Sequence, residues 1–190
     1  MPIVSASSGN ISWRRPICFN QRIPSDGCAD LSAVYKAFDM IISHLNSYKI
    51  ICMKSTVPIG TSQSLCKMLD DKGIPQELYD IVSNPEFLRE GSAIFDFMNP
   101  DRLVFGVKSV QAQKLMERLY KPLFDQNVPA LFTHLASSET IKYASNAFLA
   151  TKLSFINEIA NLCDKTGADI TDVAKGLGLD KRVGSAFLKP

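Results

Sequence analysis

Between residues 24 and 135 the apolar positions follow two alternating rhythms. After the turn Pro24-Ser25-Asp26-Gly27, Asp30 is placed to cap a helix. The apolar residues of that helix, Val34, Phe38, Ile41, Ile42 and Leu45, recur at helical spacing. Residues 49–54 form a short apolar run, the signature of a strand buried on both faces. The turn Val57-Pro58-Ile59-Gly60-Thr61 leads into a helix reaching about Lys72, which Gly73-Ile74-Pro75 stops. Further strands are predicted at 79–83, 103–107 and 130–134, with a helix over 111–120. Strands alternating with helices predict an α/β fold, a partial Rossmann-like, doubly wound parallel sheet. Ligands of such sheets sit beyond the carboxyl ends of the strands. Ser55-Thr56 and Asn84-Pro85-Glu86 both follow a strand directly, so both are expected at that edge.

The rhythm changes at about residue 136. Ser137 or Ser138 is placed to cap a long helix running to Lys165, with Gly167 as its stop. Its apolar residues, among them Ile141, Phe148, Leu153, Phe155, Ile159 and Leu162, point almost all round, so it needs cover from something larger. A second helix is expected from about Ile170 to Lys175. Residues 1–23 are rich in serine and show neither period, so they are expected to be poorly ordered or loosely docked.

Charge and composition narrow the function. There are 21 basic and 19 acidic side chains, so a nucleic-acid polyanion is not expected as partner. No apolar stretch approaches the roughly 20 residues that span a bilayer, and the first 20 residues lack a signal-peptide core. Five cysteines with no C-x-x-C spacing suit reduced thiols in the cytoplasm. With two histidines, no histidine-rich metal site is expected.

Three groups could carry chemistry. The turn over 54–61 presents two hydroxyls and a helix N-terminus, which suits phosphates or carbonyls, or else is a structural turn capped by Thr61. Glu86 and Glu90 flank Arg89; on a helix the acids would share a face and serve as base or sugar contact, and otherwise they form a salt-bridged turn. Lys142 and Asn146 head an apolar stripe of the long helix. The lysine is either buried with a depressed pKa or extended to solvent. Gly176-Leu177-Gly178 follows a helix and lacks a third glycine, so it is not a nucleotide loop.

Together the strings Asp26–Ser32, Lys54–Thr61, Asn84–Gly91 with Asp96 and Pro100-Asp101-Arg102, Glu139–Ala150, and Asp180–Gly184 with Phe187–Pro190 resemble the UDP-glucose/GDP-mannose dehydrogenase family, in its order and spacing. Pro100-Asp101-Arg102 is more like the UDP-glucose branch. The resemblance implies oxidation of UDP-glucose to UDP-glucuronate with two NAD and a water, through a thioester on a cysteine. It also implies roles. Thr56 would place the water and, with Ser55 and Glu90, contact NAD. Glu86 would do acid–base work, and Lys142 and Asn146 would stabilise an alkoxide. Glu86, Phe87, Leu88, Arg89 and Glu90, with Lys142, Asn146, Arg182, Phe187, Leu188 and Lys189, would contact the sugar nucleotide. Arg182 would reach across a homodimer built on the long helix.

The same resemblance sets the expected organisation: a divergent or disordered leader over 1–23, the second half of an NAD-binding domain over 24–135, and a central helical dimerisation domain over 136–190. Residues 1–23 contain no G-x-G-x-x-G loop, and none of the cysteines aligns with the family's nucleophile. A chain of this kind is expected to be inactive alone; the alternative is a non-catalytic dimerising remnant.

Overall fold

The computed structural model describes residues 29–189 in full, and before them only two strands, β1 (Ile3–Ser7) and β2 (Asn10–Arg14). The expected turn at Pro24–Gly27, Cys18, Cys28 and Pro190 lie outside the described residues. The chain divides into two compact units, 1–142 and 143–190.

In the first unit, α1 (Ser32–Ile42) has Leu31 at its cap position without a side-chain cap, while Asp30, the expected cap, stands one residue earlier and accepts the Ser32 N–H at 2.8 Å. Then come β3 (Lys49–Met53), α2 (Thr61–Asp71), β4 (Tyr79–Ser83), α3 (Ala93–Met98), β5 (Leu103–Gly106), α4 (Val110–Leu119), the single turn α5 (Lys121–Phe124) and β6 (Ala130–Thr133). The sheet order is β2-β1-β3-β4-β5-β6. Strands β3 and β4 are parallel, with Met53 opposite Ser83, and β5 and β6 are parallel. The sheet is mixed, however. β4 and β5 meet antiparallel at the single pair Ser83 and Gly106, because residues 84–102 return the chain at the same edge. The leader segment holds strands: β1 pairs antiparallel with β2 and with β3. Its only sequence trace is the alternation Ile11-Ser12-Trp13.

Both faces of the sheet are covered, which explains the continuous apolar runs. Ile51, Met53, Tyr79 and Ile81 pack with Val34, Phe38, Leu65 and Leu69 of α1 and α2. Their neighbours Ile50, Cys52 and Val82 face Phe105, Met116 and Tyr120 on the other side. Period-two alternation thus sends each strand's residues into two separate cores.

Helix α6 (Leu135–Thr166) starts earlier than its serines suggested. Ser138 does not cap it. The Ser138 hydroxyl faces the sheet, donating to the Ser83 carbonyl and accepting from the Ser83 hydroxyl, both at 3.1 Å. The first turns of α6 lie against β5 at Gly106, where an added Cβ would stand 2.8 Å from both Leu135 Cα and Ser138 Cβ. The helix ends at Gly167, as expected, with the Gly167 N–H on the Cys163 carbonyl.

In the second unit, α6 continues and is followed by α7 (Ile170–Leu179), which Asp169 caps through the Thr171 N–H. Ile156 and Cys163 are buried. Lys152 donates to the Val183 carbonyl at 3.0 Å, tying the final segment to α6. Phe148 is 65% exposed and Leu162 is 54% exposed, so much of the apolar circumference foreseen in sequence stays uncovered within this chain.

Candidate functional site

The parallel register of β3 and β4 brings their carboxyl ends side by side, and the Asn84 N–H closes the ladder onto the Met53 carbonyl. Lys54 is the first residue beyond β3. Its ammonium donates to Asn84 Oδ1 at 2.9 Å and to the Tyr120 hydroxyl at 3.1 Å, and it pairs with Glu86 at 3.3 Å. Tyr120 in turn donates to Asn84 Oδ1 at 2.6 Å, and Asn84 donates to the Val104 carbonyl. Burial draws the Lys54 ammonium down, but Tyr120, Cys52 and Glu86 outweigh it, and the lysine titrates above its ordinary value. Sequence reasoning gave Lys54 no role. The available signal was a cation placed directly after four buried apolar residues.

Residues 84–91 form a loop, not a helix, so Glu86 and Glu90 do not share a helical face. Glu86 turns to Lys54, while Glu90 is exposed. The loop is fastened by Asp96 on α3. The Asp96 carboxylate accepts the Arg89 backbone N–H and its guanidinium, with the Ser92 hydroxyl besides. The Arg89 guanidinium and backbone N–H hold the Asp96 carboxyl well below the usual carboxylate range. Phe87 is half-buried, and its ring carries two cations: Arg102 with Cζ at 4.1 Å from the centroid, and Lys142 with Nζ at 5.1 Å.

Lys142 is half-buried, between the two alternatives its pattern allowed. Burial, then the charge of Arg102, pushes its ammonium below the ordinary lysine value, while Glu86 pulls the other way. The acid loop and the lysine therefore belong to one electrostatic neighbourhood. Ser55 and Thr56 are half-buried on the same edge.

The helix N-terminus expected to receive an anion is closed from within. Glu139, buried on the first turns of α6, accepts the Gly60 N–H at 2.6 Å and the Ser62 N–H at 2.9 Å. Thr61 does not cap α2; its hydroxyl donates to the Pro58 carbonyl. Gly60, at φ 93°, adopts the left-handed backbone that lets both N–H groups converge on one carboxylate. Both N–H donors at the start of α2 are therefore already occupied. They form no pyrophosphate cradle at α2.

The remaining residues fall in the second unit. Asn146 lies one helical turn beyond Lys142 on α6 and is exposed. Arg182 is folded onto Asp180, with its guanidinium on the carboxylate at 2.7 Å. Phe187 sits at φ 62°, uncommon for a bulky side chain. Leu188 is buried and Lys189 exposed. Among the described residues no cluster of histidine, cysteine or acidic side chains could hold a metal. No described helix is long and apolar enough to cross a membrane.

Comparison with known proteins gives this geometry a family. The chain is 49% identical over 164 residues to a UDP-glucose 6-dehydrogenase of Rickettsia bellii, a match covering 86% of this chain and 37% of the relative. It is 51% identical over 163 residues to UDP-glucose 6-dehydrogenase TuaD of Bacillus subtilis, covering 86% and 35%. In three dimensions it resembles a UDP-glucose dehydrogenase from Pyrobaculum islandicum at a TM-score of 0.80 and 37% identity, covering 86% of this chain and 38% of that one. A GDP-mannose dehydrogenase from Pseudomonas aeruginosa follows at a TM-score of 0.79 and 27% identity, covering 91% and 41%. The chain thus spans little more than a third of the length of the curated relatives it matches.

Fold and edge site define a Rossmann-like α/β protein of the dehydrogenase type. The model of the NAD binding domain of the UDP-glucose/GDP-mannose dehydrogenase family matches residues 16–124, and that of the family's central domain matches 136–190. The chain belongs to the UDP-glucose/GDP-mannose dehydrogenase family.

Proposed function

We propose that this chain forms part of a UDP-glucose 6-dehydrogenase, the oxidoreductase that converts UDP-glucose, two NAD and water to UDP-glucuronate and two NADH. One observation carries this reading: Glu86, Phe87 and Lys142 share a single neighbourhood at the carboxyl edge of β3 and β4. NAD, when bound, accepts the hydride. The chain's own residues do the rest. Lys142, with a proton it gives up more readily than an ordinary lysine, faces the sugar C6 oxygen and stabilises the alkoxide that forms there; Asn146 of the second unit is offered for the same charge-stabilising task. Glu86 moves the proton of the hydrolytic water, which Thr56 places. Lys54 keeps the Glu86 carboxylate aimed at that edge. Ser55, Thr56 and Glu90 are assigned to the cofactor side, and Phe87, Leu88 and Arg89 to the sugar nucleotide; Arg182, Phe187, Leu188 and Lys189 of the second unit are offered as further nucleotide contacts. Cys52, Cys66 and Cys163 are buried, and burial raises the Cys52 thiol to about 11 and pushes the Cys66 thiol up, which does not suit any of the three to the role of nucleophile. None of the chain's five cysteines aligns with the nucleophile of the family it resembles, so catalysis by this chain alone is not expected.

Titration calorimetry with UDP-glucose tests the assignment. Saturable binding is expected, weakened at least about tenfold by Lys142→Ala, a loss of about 1.4 kcal/mol. Absence of binding at millimolar ligand overturns it.

A second reading, a non-catalytic homodimer, draws support from the exposed Phe148, Phe155 and Leu162 of α6. Sedimentation showing a monomer at micromolar concentration overturns it. Free, buried cysteines are in keeping with a cytoplasmic setting.

A further inference from the structure

Arg102 belongs to no group identified from the sequence patterns as chemical, yet it shares an aromatic platform with Lys142. Its Cζ is 4.1 Å from the Phe87 centroid and Lys142 Nζ is 5.1 Å from the same point, so the two cationic centres stand at most about 9 Å apart. We infer that Arg102 is a positioning residue for Lys142: the guanidinium seats the Phe87 ring under the ammonium and keeps a fixed positive charge beside it. The inference rests on the reading of Lys142 as the proton-handling group of the pocket.

The charges around Lys142 can be named. Arg102 approaches from the segment entering β5, and Glu86 from the loop after β4. On α6 itself, Glu139 lies three residues back, but its carboxylate is committed to the N-terminus of α2. Arg102 therefore opposes protonation of Lys142 and Glu86 favours it. Loss of either charge moves the balance in a known direction. An arginine suits the task because it stays charged at any working pH and stacks flat on a ring.

The test is competitive acetylation of the whole chain at alkaline pH, read peptide by peptide by mass spectrometry, since only the neutral amine reacts. Two unit charges about 9 Å apart, at an effective dielectric constant of about 60, change the neutral fraction about threefold. Arg102→Gln is expected to slow labelling at Lys142 about threefold, while Arg102→Lys keeps it near the wild-type rate. Lys114, exposed on α4, serves as the internal reference. Arg102 is exposed, so neither substitution empties the core. An unchanged rate in Arg102→Gln, or equal slowing in both variants, overturns the inference. Protection of Lys142 by UDP-glucose is read from the same peptide. Its absence, with the contrast between variants intact, counts against the proposed function and leaves the role of Arg102 standing.

Discussion

The closure of α2 by Glu139 makes a quantitative prediction. Replacing Glu139 by alanine strips two acceptor contacts at once. The Ser62 N–H lies in a buried setting, and its bond to a carboxylate is worth about 2 kcal/mol. The Gly60 N–H is only partly buried, so water replaces much of what is lost there, leaving about 1 kcal/mol. Glu139→Ala should therefore cost about 3 kcal/mol. Glu139→Gln should cost about 2 kcal/mol, because its carbonyl serves one N–H while its amide confronts the other. Urea denaturation followed by far-ultraviolet circular dichroism measures both, with the slope m unchanged if the unfolded chain is unaffected. The emptied N-terminus should then behave as the anion site it is built to be. Inorganic phosphate should raise the midpoint of Glu139→Ala by the mass-action term and leave the wild type unmoved. A loss below about 1 kcal/mol in the alanine variant would refute the reasoning, because net hydrogen-bond contributions of that size are typical of uncharged pairs. So would an equal response of both proteins to phosphate.

Three other perturbations follow from the geometry. Lys54→Met leaves Asn84 and Tyr120 bonded to each other but removes the partner of Glu86; since Glu86 is about one-third exposed, the expected loss is about 2 kcal/mol by urea titration, and a more stable variant would contradict it. Asp96 is held low by Arg89, so its contribution is complete above about pH 4 and is lost as pH falls through the depressed folded value; thermal melting of Asp96→Asn should show a shallower decline between neutral and acid pH than the wild type. Gly106→Ala pushes a Cβ against the backbone of Leu135 and against Ser138, and should lower stability by about 2–3 kcal/mol in thermal melts; a neutral result would mean that α6 can step back from β5.

Much of this was legible in the chain itself. The strands β3 to β6 stood out as apolar runs or short alternations, because burial on both faces leaves little room for polar residues. Glu86 and Lys142 were visible by their place after a strand and on a helix. Other features lay beyond local pattern. The antiparallel meeting of β4 and β5 depends on where the 19-residue connection that carries α3 returns. The role of Glu139 depends on a contact 79 residues away in sequence, with Gly60. Ser138 looked like a cap because its type suits one, and the sheet claimed its hydroxyl instead. Strand β1 was missed because a serine-rich segment carries little hydrophobic period, and pairing with β3 supplies what propensity does not.

The internal neutralisation of the α2 dipole has a consequence for how this edge attracts anything negative. Peptide dipoles are fixed in place and shielded by the fold, whereas the ammonium and guanidinium groups that remain at the rim are surrounded by mobile counter-ions. Attraction of an anion to the cations at this edge, Arg102 and Lys142, should thus be governed by ionic strength, strong in dilute buffer and fading as the Debye length shortens with added salt.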